Sequence, residues 1–208
     1  MSKMSKMSKM KKYGILAFIV GSISLTSCKK DNEVPEEENE LEVITDVKLV
    51  FTNTADANDV VEATAQDPDG QGVQELQILG AINLDTSKTY TLTYEIFNNL
   101  ETPGEDIGLE IASEDDEHQM FFSFSNDAFS NPLGNGNIDN VSHPINYNDQ
   151  DGNGNSVGLS TAWTTPSTPL SGGTFTVRLQ HQPGVKTSTS GATDGDTDFD
   201  LTFVLNIQ

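Results

Sequence analysis

Three aspartate-rich stretches offer side-chain oxygens at alternate positions, the pattern with which a loop can wrap a hard cation. The run Asp149-Gln150-Asp151-Gly152-Asn153-Gly154 fits the first six places of a calcium loop: Asp149, Asp151 and Asn153 present oxygens and Gly154 allows the bend. The twelfth place is Ser160, where an EF-hand carries a bidentate glutamate. An EF-hand is thereby excluded, and a partial oxygen cage in a hairpin loop survives as a calcium candidate. Asp67 and Asp69 with Gln71 form a similar arc, as do Asp194, Asp196 and Asp198. Asp, Asn and Gly are also the residues that make turns, so each loop taken singly reads first as turn chemistry without an ion, with calcium expected in at least one of the three.

The second constellation is a pair of histidines. His118 is in phase with Met120, Phe122 and Phe124, and His181 with Phe175, Val177 and Leu179, so both should face inward from their strands. His118 opens its strand and His181 closes its own. If those strands are antiparallel neighbours, both imidazoles reach the same end of a sheet, beside Asp115, Asp116 and Glu117. His118, His181 and Glu117 together make a ligand set suited to zinc or another divalent transition metal. The alternative is that each ring bonds a backbone carbonyl and closes a strand end. His143, just before Pro144, reads as a solvated turn residue. Trp163 with Tyr147 offers a stacking platform for a surface glycan, although the phase of Trp163 with Leu159 and Thr161 assigns it to the core. There is no Gly-x-Ser-x-Gly elbow, and Gly134-Asn135-Gly136-Asn137 lacks the lysine of a phosphate loop. A non-catalytic role is the expectation, with a hydrolase the least favoured class.

The chain that must position these groups has 208 residues, 11 Lys+Arg, 32 Asp+Glu and one cysteine. This length allows one ordinary domain with terminal additions and excludes a large multidomain enzyme. The formal charge of −21 repels a phosphate backbone, so nucleic acid is not an expected partner. Five of the basic residues fall in residues 1–12, followed by an apolar run from Tyr13 to Ser24 and then Leu25-Thr26-Ser27-Cys28. The apolar run is well short of the roughly 20 residues of a membrane-spanning helix. Residues 1–27 therefore read as a lipoprotein signal peptide and Cys28 as the lipidated residue, giving membrane attachment through acyl chains. Met-Ser-Lys recurs three times before Met10, which makes Met10 an alternative start. Residues 28–42 carry seven acids and little to bury, and read as an extended, hydrated tether. From Cys28 onward the charge is −26, of which −21 sits on residues 43–208. Bound cations would relieve that self-repulsion.

Residues 43–208 alternate with a period of two. Val47, Leu49 and Phe51 make one face; Tyr90, Leu92, Tyr94 and Ile96 another; Phe175 to His181 and Phe199 to Ile207 repeat the rhythm. Weaker strands are expected near residues 60–66, 76–84, 119–125, 145–148 and 159–164. Turn signals such as Asp67-Pro68-Asp69-Gly70 and Gln182-Pro183-Gly184 separate them. The fold class is therefore all-β: a single β-sandwich, Ig-like or jelly-roll-like, of about nine short antiparallel strands. One short connecting helix is expected between Pro103 and Glu114, where Ile107 and Ile111 stand four apart behind the acids Glu105 and Asp106.

Cys28-Lys29-Lys30-Asp31, Asp67-Pro68-Asp69-Gly70, Asp116-Glu117-His118-Gln119, the run from Asn148 to Gly154, His181-Gln182-Pro183 and Gly195-Asp196-Thr197-Asp198 resemble a set of Bacteroidota outer-membrane lipoproteins. Members often carry the label "type 1 periplasmic binding fold superfamily protein". Two α/β lobes are inconsistent with the strand pattern here, so the resemblance implies a location and no residue roles. Lys29-Lys30-Asp31-Asn32-Glu33 is similar to the lysine-then-acid signal that sends such lipoproteins to the cell surface. The expectation is an outer-membrane, lipid-anchored, non-catalytic binding or accessory module, with an outer-membrane transporter or a surface glycan as partner. A structural or adhesive surface module is the competing class.

Overall fold

The computed structural model describes residues 42–67, 75–100 and 102–208. The signal peptide, Cys28, most of the tether, Asp69 and Gln71 lie outside the described residues. Ten strands and one helix form among those described: β1 (Asp46–Asn53), β2 (Val60–Gln66), β3 (Gln77–Ile78), β4 (Ile82–Leu84), β5 (Thr89–Asn98), β6 (Glu105–Asp106), α1 (Ile107–Ser113), β7 (His118–Phe124), β8 (Thr161–Thr164), β9 (Leu170–His181) and β10 (Asp196–Ile207). One sheet runs β3-β2-β1-β5-β6 with β8 also paired to β5; the other runs β4-β10-β9-β7. The pairings are antiparallel except that of β4 with β10. The expected all-β sandwich is the architecture present.

Period-two alternation drives these strands together because burying one face of each removes a row of apolar side chains from water. In β1 the faces separate cleanly: Val47, Leu49 and Phe51 are fully buried while Asp46, Lys48 and Val50 are half-exposed. The sheets meet through aromatic edge-to-face contacts, Phe51 of β1 against Phe175 of β9 at 5.8 Å and Trp163 of β8 against Phe175 at 5.0 Å between ring centres. Trp163 is wholly enclosed, its indole N–H donating to Thr161 Oγ1 at 2.8 Å, so the ring offers no face to a glycan.

Two local expectations resolve differently. Residues 76–84 do not make one strand; Gly80 separates β3, which joins the first sheet, from β4, which joins the second. Residues 145–148 make a single bridge, Tyr147 to Thr161, because the Tyr147 hydroxyl is drawn to the Met120 carbonyl at 2.7 Å and to Asn137 at 2.8 Å. That loop covers the free edge of β7: Val157 O accepts from Met120 N, and Phe122 O accepts from Asn137 N. The helix forms where Ile107 and Ile111 can be buried together, with Asp106 Oδ1 accepting from Leu109 N at 3.2 Å as N-cap. Its C-terminal end delivers the chain through residues 114–117 into His118.

Candidate functional site

Strands β7 and β9 pair directly, and the residue opposite His118 is His181. The two rings stack, centres 4.5 Å apart and planes within 5°. Both side chains are shut away from solvent, at 0% and 9% exposure. One donor atom from each of Glu114, His118 and His181 lies within 4.8 Å of the other two.

Each imidazole has one nitrogen engaged and one without a partner. His118 Nδ1 lies 3.2 Å from the carbonyl of Glu114, the residue that caps α1, so this nitrogen carries the proton and donates. Its Nε2 is left as a buried lone pair with no hydrogen-bond partner. His181 Nε2 lies 3.4 Å from Glu117 Oε2, and His181 Nδ1 is buried without a partner. A carbonyl or carboxylate holding one ring nitrogen while the other is free is the outer-shell arrangement that orients metal-ligating histidines. Burial drives the His118 ring down to about 4, with the nearby His181 and Lys186 charges acting in the same direction against the Glu114 carbonyl. At neutral pH His118 is therefore the neutral ring that a metal requires.

A third group completes this end of the sandwich. Asp198 Oδ2 is 3.9 Å from His118 Nε2, with its side chain fully enclosed. Neither carboxylate oxygen has a hydrogen-bond partner of good geometry. Burial pushes this carboxyl up to about 7; the Glu42 backbone N–H opposes the shift, and the Glu42 and Asp196 charges reinforce it. Glu42 is itself pushed up to about 7 by burial and by Glu110, Glu114 and Glu105. Carboxyls crowded until they resist ionisation mark a place where positive charge is wanted.

The aspartate arcs are placed differently from one another. Asp149 closes its own loop: Oδ1 accepts from Gly158 N at 2.8 Å and Oδ2 from Ser160 N at 3.0 Å. Asp151 Oδ1 accepts from Asn153 N and Asn155 N, and Oδ2 from Asn155 Nδ2, while Lys186 Nζ stands 3.3 Å from Oδ2. This carboxylate already has a cation, supplied by the chain. Asn153 is exposed at the turn. Asp194 caps a turn through Gly191 N at 2.8 Å. Asp196 is exposed opposite His181, whereas Asp198 faces the interior, so Asp194, Asp196 and Asp198 do not share a centre. Asp67 sits at the end of β2, its backbone N–H donating to the Thr45 carbonyl. Glu114 and Asp198 were not joined to the histidines by sequence; the four-residue step from Glu114 to His118 across a helix end was the available signal for the first.

Neither a family model, nor a curated protein, nor a solved structure matches the chain. No helix among the described residues is long and apolar enough to cross a membrane.

Proposed function

We propose that this chain is a lipid-anchored outer-membrane lipoprotein whose β-sandwich is a non-catalytic binding and accessory module working with a divalent transition-metal cation. The observation that carries the cation is the pair of enclosed imidazoles, His118 and His181, each with one nitrogen held from outside and the other unpartnered. Imidazole donors favour zinc and its neighbours over calcium, which takes oxygen ligands. Calcium at Asp149 and Asp151 is the weaker alternative, since both carboxylates are occupied by the chain's own N–H groups and Lys186. The anchor rests on the lipobox ending at Cys28, and surface display on the residues that follow it. An outer-membrane transporter as partner rests on the family resemblance alone.

Two experiments test this reading. Zinc titrated against the purified protein should bind one equivalent and raise the melting temperature, because binding to the native state alone must stabilise it; a His118→Ala, His181→Ala variant that binds equally well refutes the site. Cys28→Ser should release the protein from membranes, and protease should digest the wild type on intact cells; full protection would place it on the periplasmic side. The self-closed loop 149–160 favours a second reading, a structural surface module whose aspartates stiffen loops without any ion, and a protein indifferent to zinc and calcium would support it.

A further inference from the structure

Asp198 breaks the alternation of its own strand. Phe199, Leu201, Phe203, Leu205 and Ile207 of β10 all point into the core, so a regular strand would turn residue 198 to solvent. Instead the register with β9 slips between Thr197 and Phe199: Thr197 opposes Gln180, Phe199 opposes Leu179, and Asp198 is the extra residue of a β-bulge. Bulges re-aim side chains, and this one carries a carboxylate into the interior. The fold rewards that placement little: the Glu42 backbone N–H favours the carboxylate, but neither oxygen has a hydrogen-bond partner of good geometry. What they face is the free Nε2 of His118 at 3.9 Å. An ionised carboxylate facing a lone pair across such a gap needs something positive between them, a role that a proton fills in the metal-free chain and a metal ion can take over.

We propose that Asp198, turned inward by the β10 bulge, is the carboxylate ligand that joins His118 Nε2 and His181 Nδ1 in holding a single divalent transition-metal ion of the zinc class. This rests on the two-histidine reading above and adds the third ligand. Ligands about 2.1 Å from a tetrahedral ion are about 3.4 Å apart, so the Asp198–His118 edge of 3.9 Å closes by roughly half an ångström on binding. The carboxylate with a donor atom already within 4.8 Å of both rings is that of Glu114, so Asp198 and His181 must move closer by more than that to share the ion. The stacked rings direct their lone pairs along parallel planes, and one of them must tilt to share the ion. Glu117 then acts as the positioning residue that holds His181 by Nε2, and the Glu114 carbonyl does the same for His118. A cleft of about 360 Å³ lies on the outer side of Asp198, with Asp67, Glu75 and Asp200 also in its wall and neither histidine lining it. Acidic walls of this kind concentrate divalent cations next to Asp198.

The test uses the full chain in detergent carrying Cys28→Ser, so that no native thiol competes for metal. Zinc affinity is measured by competition with a chelating dye, and coordination by cobalt(II) absorption. Zinc should bind one to one, with a loss of about 100-fold or more in His118→Ala, in His181→Ala and in Asp198→Asn, and of about 10-fold in Glu117→Gln. Asp198→Cys should restore affinity and introduce a thiolate-to-cobalt charge-transfer band, which appears only if residue 198 touches the metal. Full affinity in Asp198→Asn, or a cobalt complex of Asp198→Cys without that band, overturns the third ligand while leaving the histidine pair standing. No zinc binding by the parent chain, or equal binding by the histidine variants, overturns both.

Discussion

Lys186 buries an ammonium group, and replacing it measures how the region beneath the histidines is held. Its side chain is 1% exposed and that of Asp151 is 0% exposed. The three donors of Nζ meet three acceptors: Asp151 Oδ2 at 3.3 Å, the His118 carbonyl at 2.8 Å and the Asp115 carbonyl. Lys186→Met keeps much of the stem's packing and removes all three interactions. Breaking a buried pair from one side costs about 3–5 kcal/mol because the other charge stays enclosed. Asp151 retains three N–H donors from Asn153 and Asn155, which softens its loss, while two carbonyls forfeit a charged donor at about 1 kcal/mol or more each. The expected loss is about 4 kcal/mol, read by urea denaturation at pH 7 in chelator. Asp151→Asn alone should cost about 2 kcal/mol, and the double variant should fall short of the sum by about 2 kcal/mol, since each single change strands the other's charge. A loss below about 1 kcal/mol for Lys186→Met, or costs that simply add, would refute the view that this ion pair holds the 182–195 loop against the start of β7.

Asp198→Asn should stabilise the chelated protein in a pH-dependent way. The native carboxyl is raised from 3.8 to about 7, so the folded chain keeps a proton that the unfolded chain has released, and stability falls as pH rises across that window. About three units at ~1.4 kcal/mol each give up to about 4 kcal/mol, so wild type and variant should agree near pH 4 and differ most at pH 8; coincident urea midpoints at pH 8 would contradict this. Gly195→Ala should lower the melting temperature far more than Gly154→Ala. Both glycines have positive φ, +80° and +85°, but a Cβ at 195 lands 2.1 Å from the His181 carbonyl oxygen while one at 154 meets nothing within 4 Å; equal shifts would show that the chain gives way there. Trp163→Ala, which empties a fully buried site bounded by Phe122, Phe124, Phe129 and Phe175, should cost about 3–5 kcal/mol in denaturant titration.

Alternation carried the sequence reading a long way because inside and outside are local properties of a strand. Val47 to Phe51, Phe175 to His181 and Phe199 to Ile207 declare their buried faces without reference to partners, and His118 and His181 inherit inward directions from them. Their adjacency was conditional on β7 pairing with β9, a long-range fact that no local pattern states. The bulge is of the same kind: whether residue 198 is an extra residue depends on how many residues β9 offers opposite it, so counting along β10 alone sends Asp198 to solvent. The aspartates of the 149–154 run show the converse. Their spacing matched a calcium loop, yet the positive charge facing Asp151 comes from Lys186, 35 positions away, and the donors to Asp149 from the loop's own closing amides. On a chain with 32 acidic residues, oxygen spacing alone therefore has little power to find a cation site. What separates Asp198 from Asp149 and Asp151 is satisfaction: those two carboxylates have all the partners their loops can give them, while Asp198 is enclosed without a hydrogen bond of good geometry and faces a nitrogen in the same condition. Once the Asp198 carboxyl ionises, a buried acceptor stands opposite a buried acceptor, a costly arrangement in a fold meant only to be stable, and that cost points to an ion at Asp198.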